Sequence, residues 1–284
     1  MRPLIQAILI HHRLPTRAEN RKQIRSLMSQ LDFQLLDIVD QPMISAEPPS
    51  MGKKVWIISR LCLKSGVDAL LQVLRGRKSL LRSLWSFMAE VTHTAVRLGS
   101  AAPEAWISAY RTCLVETILV DKHFQAWEAA LKARADWLLV LEDDSKVLPD
   151  TCNRLQHLLD HDLTVFGRDC DVYCDLAGGF EPQVVLPNSA VWDGESQRWS
   201  VPFVQTNTTC SYLASHSLAM QLVSTVQRFP VLRQLPADHL INAASLLFRN
   251  QRHSSLCLHW QHPIFLHGSF HAGLSSSISH IRRF

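Results

Sequence analysis

The chain has 284 residues, of which 47% are hydrophobic and 19% charged, so it can bury a sizeable core and is neither disordered nor of low complexity. Its formal charge of +4 is too small to indicate a nucleic-acid-binding protein. No apolar run reaches the ~20 residues of a membrane span, and Leu4–Ile10 is too short for a secretory signal, so we expect a cytoplasmic protein.

The first elements form a strand, a helix and a second strand. Apolar runs predict strands at Ala7–Ile10 and Gln34–Val39, and apolar residues at helical spacing predict a helix over Thr16–Asp32. This βαβ opening is typical of an α/β domain with a mostly parallel sheet. Helical periodicity returns over 67–98, interrupted at Gly76, and again over Trp106–Leu131.

Trp137–Leu141 is the clearest buried strand in the chain. Beyond it, the pattern predicts helices at Thr151–Leu159, Ser217–Gln227 and 237–247, strands at Asp171–Leu176, Gln183–Leu186 and Thr208–Leu213, and a hairpin at Val191–Pro202. The tail from Leu256 to Phe284 is predicted to be irregular. The seven cysteines are scattered without a CxxC motif, so we expect free thiols rather than a zinc knuckle. No repeat or linker is visible, which favours one domain over 1–284.

Three consecutive acids, Glu142, Asp143 and Asp144, follow the strand Trp137–Leu141. Ligands of open α/β sheets bind beyond the carboxyl ends of strands. Adjacent carboxylates repel one another unless a positive group binds them, and Mg²⁺ or Mn²⁺ suits such oxygen ligands. The alternative is a solvated acidic turn or a helix start satisfied by acids.

The segment WLLVLEDDSKV resembles the acidic signature of glycosyltransferase family 25, the lipooligosaccharide and collagen galactosyltransferase group. Further segments in the same order also resemble family motifs, namely Leu36–Asp40, His123 with Trp127, Thr208–Leu213 with Ser217–Leu222, and Leu235–Asp238. The chain differs from the family pattern at His11–Arg13, Lys122 and Leu218.

This resemblance implies a single GT-A-like domain, the fold of nucleotide-diphospho-sugar transferases, with a helical insertion at about 53–105. It also implies transfer of a hexose such as galactose from a nucleotide donor, usually a UDP-sugar, to a hydroxyl of a glycan or glycoconjugate. The expected reaction is inverting and depends on Mn²⁺ or Mg²⁺. A place in lipopolysaccharide or other glycan biosynthesis follows from the same resemblance.

The expected metal ligands are Asp144, Glu142 and His267. A divalent cation neutralises the leaving diphosphate of a nucleotide sugar, which is why carboxylates are needed there. His267 follows an apolar run and precedes Gly268, and a late histidine completes the metal shell in many enzymes of this fold. The alternative for His267 is a capping or surface histidine.

The expected donor-binding residues are Arg17, Asp37, Asp40, Glu142 and Asp143. Arg17 would meet a phosphate, and the two acids at the end of the second strand would hold the base or ribose. The alternatives are an exposed helix residue for Arg17 and surface turn acids for Asp37 and Asp40.

Asp238 is the expected catalytic base. It follows Pro236 at the start of a helix, where a carboxylate stays ionised and suits a general base. An N-cap role, which stabilises a helix by ~1 kcal/mol, is the alternative and is compatible with catalysis.

The segment RGRKSLLRSLWSFM interleaves basic and apolar residues. A basic amphipathic helix can lie on an anionic membrane surface, so peripheral contact is possible through Arg75, Arg77, Lys78 and Arg82. The alternative is an ordinary helix with one solvated face.

Two other functions compete with the transferase. The first is a non-catalytic carbohydrate- or partner-binding relic of the same fold, although the intact acids and Asp238 favour an enzyme. The second is a nucleotidyltransferase, which the absence of a glycine-rich phosphate loop disfavours.

Overall fold

The computed structural model describes residues 3–39, 48–74, 79–166, 170–178, 181–186, 188–248 and 255–268, which form an α/β fold. The strands in these ranges are β1 (Ile5–His11), β2 (Leu35–Val39), β3 (Trp137–Glu142), β4 (Ser145–Val147), β5 (Asp171–Asp175), β6 (Val191–Asp193), β7 (Arg198–Val201), β8 (Ser211–Ser215), β9 (Ser255–Trp260) and β10 (Phe265–His267). The helices are α1 (Ala18–Gln30), α2 (Met51–Leu74), α3 (Leu80–Gly99), α4 (Pro103–Lys132), α5 (Thr151–Asp160), α6 (Pro182–Val185), α7 (His216–Arg228) and α8 (Ala237–Phe248).

Eight of these strands form one sheet in the order β2-β1-β3-β8-β5-β9-β7-β6, and β10 pairs with β4. The prediction of a mostly parallel sheet is wrong, because the described ladders include four antiparallel pairs and three parallel ones. β8 runs against both of its neighbours, and β6 and β7 form a hairpin, which is antiparallel by geometry. The sheet is therefore mixed.

Helices cover both faces of the sheet and divide the core in two. Leu138 and Val140 of β3 pack in one half with residues of α4, α7 and α8. Leu139 and Leu141 point the other way and pack with residues of α1 and α5. A strand covered on both faces needs apolar residues at every position, which explains the unbroken run in β3.

Most of the predicted elements are present near their expected bounds, but two predictions are wrong. The segment Gln183–Leu186 belongs to the one-turn helix α6 instead of a strand, and Pro182 at its first position sets the helical φ. Part of the supposedly irregular tail forms β9 and β10. Residues 269–284 lie outside the described ranges.

The region predicted as a helical insertion is helical where it is described, because α2, α3 and the start of α4 occupy it. α2 and α3 lie against each other, and Phe87 approaches Gly66 closely enough to contact a side chain placed there. Within the part of the chain that the structure covers, no helix is both long and apolar enough to cross a membrane. All seven cysteines are free thiols, as predicted.

Candidate functional site

The three acids lie at the carboxyl ends of two adjacent parallel strands. Glu142 is the last residue of β3 and pairs with Ile10 of β1, and the Asp143 amide donates to the Ile10 carbonyl oxygen at 3.1 Å. Asp143 and Asp144 form the short link to β4. The cluster therefore lies beyond the carboxyl ends of β1 and β3, the side of the sheet where ligands of α/β proteins bind.

Glu142 is bound by side chains of α4 and of the segment before β8. Its Oε1 accepts a hydrogen bond from the Thr209 hydroxyl at 2.8 Å and lies 3.3 Å from Nε2 of His123. Burial raises the pKa of Glu142, but the hydrogen bonds from His123 and from the Thr209 hydroxyl outweigh that effect and lower it to about 2. Glu142 is therefore ionised at neutral pH.

A buried aromatic chain fixes His123. The indole Nε1 of Trp127 donates to the Tyr212 hydroxyl at 3.0 Å, and that hydroxyl lies 3.1 Å from His123 Nδ1. Because the hydroxyl proton is then available to Nδ1, we assign the imidazole proton to Nε2, which faces Glu142. Trp127 packs in the core, whereas His123 reaches the site.

Asp143 is held by the beginning of α1. Its Oδ1 lies 2.5 Å from Nη1 of Arg17, and its Oδ2 lies 3.1 Å from Nη1 of Arg21. The side-chain Nδ2 of Asn20 donates to the backbone carbonyl oxygen of Asp143 at 2.8 Å. Although burial opposes it, the carboxylates of Asp144 and Asp143 raise the pKa of Arg17, so this guanidinium is a permanent counter-charge.

Asp144 meets two side chains from distant segments. Its Oδ1 accepts a hydrogen bond from the Cys210 thiol at 3.3 Å, and its Oδ2 lies 3.7 Å from Nη2 of Arg17. Ligand atoms of Asp144, Cys210 and His267 all lie within 4.8 Å of one another. The structure thus brings together two of the three predicted metal ligands and adds a thiol, while the hydrogen bonds described for Glu142 are with His123 and Thr209.

The predicted donor-binding acid Asp37 lies on β2, an edge strand of the sheet. Asp37 on β2 pairs with Leu9 of β1 and forms a two-pronged ion pair with Arg25 at 2.9 and 3.0 Å. His11 at the end of β1 lies 3.7 Å from the same carboxylate, and its pKa is lowered, first by burial and then by Arg21. Asp40 lies outside the described residues.

Asp238 belongs to a separate charged group. It lies in the first turn of α8 and its Oδ1 is 3.0 Å from Nδ1 of His239, whose Nε2 is 2.9 Å from Asp68 on α2. Burial opposes both shifts, but this pairing lowers the pKa of Asp238 and raises that of His239 to about 9.

The Asp238 carboxylate also acts on α4, because its negative charge raises the pKa of Glu116, although burial is the larger cause of that rise. The predicted base role of Asp238 stays a prediction.

Several residues of this region were not among the predicted site residues, namely Asn20, Arg21, Lys122, His123, Thr209, Cys210 and Tyr212. Lys122 is fully buried; its ammonium donates to the His11 carbonyl oxygen at 2.7 Å and lies 3.1 Å from Nδ1 of His12. A lysine inside an apolar helical pattern is the sequence feature that indicates this contact, because a lysine side chain is buried only when its ammonium group has hydrogen-bonding or charged partners. Thr209 and Cys210 directly precede a buried strand, just as the acids directly follow one.

A scan against models of known protein families finds no match, and a search of curated proteins finds no similar sequence. The resemblance to glycosyltransferase family 25 therefore stays a prediction that depends on the quoted motifs.

Proposed function

We propose that the protein is a glycosyltransferase of GT-A type that moves a sugar from a nucleotide-diphosphate donor to a hydroxyl of a glycan or glycoconjugate. The observation that carries the proposal is the grouping of Asp144, Cys210 and His267 beside buried Arg17, next to the carboxyl ends of β1 and β3. A site at the carboxyl ends of these strands suits a nucleotide diphosphate, because this ligand is anionic and needs both cations and polar groups around it.

The residues of the cluster have separate tasks in this proposal. Glu142 is an ionised acceptor for donor hydroxyls, because His123 and Thr209 keep its pKa low. Arg17 adds a fixed positive charge beside Asp144. A divalent cation bound at the cluster would supply charge neutralisation for the leaving diphosphate.

Asp238 is the proposed base for the acceptor hydroxyl. Its lowered pKa keeps the carboxylate ionised at neutral pH, as a proton acceptor requires. The paired His239, with its raised pKa, holds that carboxylate in one orientation.

Release of nucleotide from UDP- and GDP-sugars in the presence of divalent cations tests the activity. We expect the native chain to release nucleotide from at least one donor and Asp144→Asn to lower the rate by roughly 100-fold or more. Asp238→Asn should lower transfer to an acceptor by about 10²–10⁴-fold. Asp150→Asn is the matched control, because Asp150 is an exposed acid beside α5.

Two outcomes would count against the enzyme. Nucleotide release that survives Asp144→Asn unchanged would remove the cluster from the chemistry. Binding of a nucleotide sugar without turnover, across donors and cations, would instead support the non-catalytic binding relic.

We also propose that α3 contacts an anionic membrane surface. The helix leaves one apolar face exposed, formed by Leu81, Leu84, Trp85, Met88 and Val96, with Trp85 78% accessible. Arg82 is exposed on the same helix, and Arg97 lies in its last turn. Cationic side chains beside an apolar helix face match the charge and polarity of an anionic bilayer interface. Arg75, Arg77 and Lys78, predicted for the same contact, lie outside the described residues.

Co-sedimentation with vesicles of phosphatidylserine and phosphatidylcholine tests this contact. We expect binding that weakens with salt and is lost in Trp85→Ser, because the indole is the largest exposed group of the face. Trp192→Ser, at a partly exposed tryptophan of β6, should leave binding unchanged. Equal sedimentation with and without vesicles would refute the proposal.

A further inference from the structure

Two segments that are distant in sequence, one with Cys210 and one with His267, pack against the segment that contains Asp144. Cys210 precedes β8, and its carbonyl oxygen accepts from the Glu142 amide at 2.7 Å and from the Ser145 hydroxyl at 2.6 Å. His267 ends β10 and pairs with Ser145 of β4. The Gly268 amide then donates to the Asp144 carbonyl oxygen at 2.8 Å. Backbone hydrogen bonds therefore fix all three side chains near one point.

The spacing of the three ligand atoms is close to that of a bound metal ion. Bond lengths of about 2.0–2.3 Å place the ligands of a tetrahedral zinc ion roughly 3.3–3.7 Å apart. Here the carboxylate, thiol and imidazole atoms lie within 4.8 Å of one another, and the thiol is 3.3 Å from a carboxylate oxygen. Small rotamer changes would bring all three to one ion.

The chemistry of this set does not suit the expected Mn²⁺ or Mg²⁺. Those hard cations prefer oxygen ligands, whereas the set holds one carboxylate, one thiol and one imidazole. Sulfur and nitrogen ligands favour zinc, and three protein ligands with an open fourth position are typical of catalytic zinc sites. The neighbouring Ser145 hydroxyl lies 3.5 Å from the Cys210 sulfur and can orient it.

We propose that Asp144, Cys210 and His267 bind a zinc ion whose fourth position is open to a water or a phosphate oxygen. On binding, the Cys210 thiol gives up its proton to solvent, and its thiolate, the Asp144 carboxylate and the neutral His267 imidazole become the ligands. The zinc ion and its three ligands then carry no net charge together, and Arg17 is an adjacent cation beside Asp144. This identification of the metal deepens the proposed transferase function and rests on it for the role of the ion.

Metal binding to the full chain, stripped with a chelator, tests the site without any activity assay. Zn²⁺ affinity is measured by competition with a chromophoric chelator, and Co²⁺ is added as a spectroscopic substitute. We expect Zn²⁺ to bind more tightly than Mn²⁺ or Mg²⁺, and the Co²⁺ form to show a thiolate-to-cobalt charge-transfer band in the near ultraviolet.

Three variants assign the ligands. Cys210→Ser should remove the charge-transfer band and weaken Zn²⁺ binding by about tenfold or more. His267→Gln, at a half-buried site, should weaken Zn²⁺ binding and keep the band, so the test survives if Cys210→Ser fails to fold. Cys152→Ser is the control, because Cys152 lies on α5 outside the cluster, and it should match the native chain.

The outcomes separate the metal from the function. A charge-transfer band that persists in Cys210→Ser, or Mn²⁺ binding as tight as Zn²⁺ binding, would overturn the zinc site even if sugar transfer occurs. Zinc binding that requires Cys210 and His267, without transfer from any nucleotide sugar, would support the site and refute the transferase.

Discussion

Replacement of Arg17 by methionine tests whether buried charge pairing holds the acidic cluster in place. The Arg17 side chain is 3% exposed and lies between Asp143 and Asp144, whose side chains are 2% and 7% exposed. Methionine keeps much of the length and apolar stem of the side chain but removes its charge. Two carboxylates would then be buried without their main counter-charge, a state that costs free energy because water cannot solvate them.

The magnitude follows from the partners that remain. Removing one member of a buried ion pair destabilises a protein by about 3–5 kcal/mol. Arg21 still lies 3.1 Å from Asp143, so we expect a loss near the lower end, about 3 kcal/mol of unfolding free energy for Arg17→Met. Arg25→Met, on the adjoining helix α1, is the matched control, because the Arg25–Asp37 pair is 46% and 35% exposed and should be worth at most about 1 kcal/mol.

Urea unfolding of the native chain and both variants measures these losses. The comparison requires similar dependence of the free energy on urea, since a change in that slope indicates a changed unfolded state. Adding Asp143→Asn to Arg17→Met should recover part of the loss, because one unpaired carboxylate is removed. If Arg17→Met loses no more stability than Arg25→Met, the reasoning about buried charge is wrong.

Two other predictions concern a titration and a backbone constraint. Burial lowers the pKa of His259, but Cys257 and Asp175 raise it to about 10, so its charged form stabilises the fold fully below pH 6.5 and that contribution is lost as the pH rises to 10. His259→Gln should therefore flatten the decline of unfolding free energy over that range, and equal declines would contradict the pairing. Gly178 has φ +64°, and an added Cβ would lie 2.7 Å from a proline side chain, so Gly178→Ala should cost about 1–3 kcal/mol in urea unfolding. Gly52→Ala, in open space on α2, should gain about 0.4–1 kcal/mol, and a similar loss at both positions would refute this account.

Local patterns predicted most elements because they reflect local burial. β3 is apolar at every position since helices cover both faces, and α5 repeats its buried leucines at helical spacing. The segment Gln183–Leu186 misled because two adjacent valines favour a strand, while Pro182 before them sets up a helical turn. β9 was missed because its histidine and tryptophan obscured the alternation of its buried residues.

The direction of β8 could not be predicted from its own residues. A buried strand has the same composition whether it runs parallel or antiparallel to its neighbours. The sequence of Ser211–Ser215 therefore does not indicate its antiparallel pairing with β3 and β5. That direction also determines which residues lie at the candidate site. Because β8 is antiparallel to β3, the amino end of β8 lies beside the carboxyl end of β3. Thr209 and Cys210, which precede β8, therefore contact Glu142 and Asp144.

The presence of three adjacent acids is a weaker indication of a metal than the sequence suggested. Repulsion among Glu142, Asp143 and Asp144 favours a bound cation, yet the chain itself places the Arg17 guanidinium against Asp143 and Asp144 and a His123 N–H donor against Glu142. What indicates a metal is instead the mixture of donors around Asp144, since a thiol and an imidazole contribute no positive charge in their neutral forms. The same argument explains why the proposed zinc site could not be predicted from the sequence: the acids are adjacent in sequence, whereas Cys210 and His267 come close to Asp144 only in the fold.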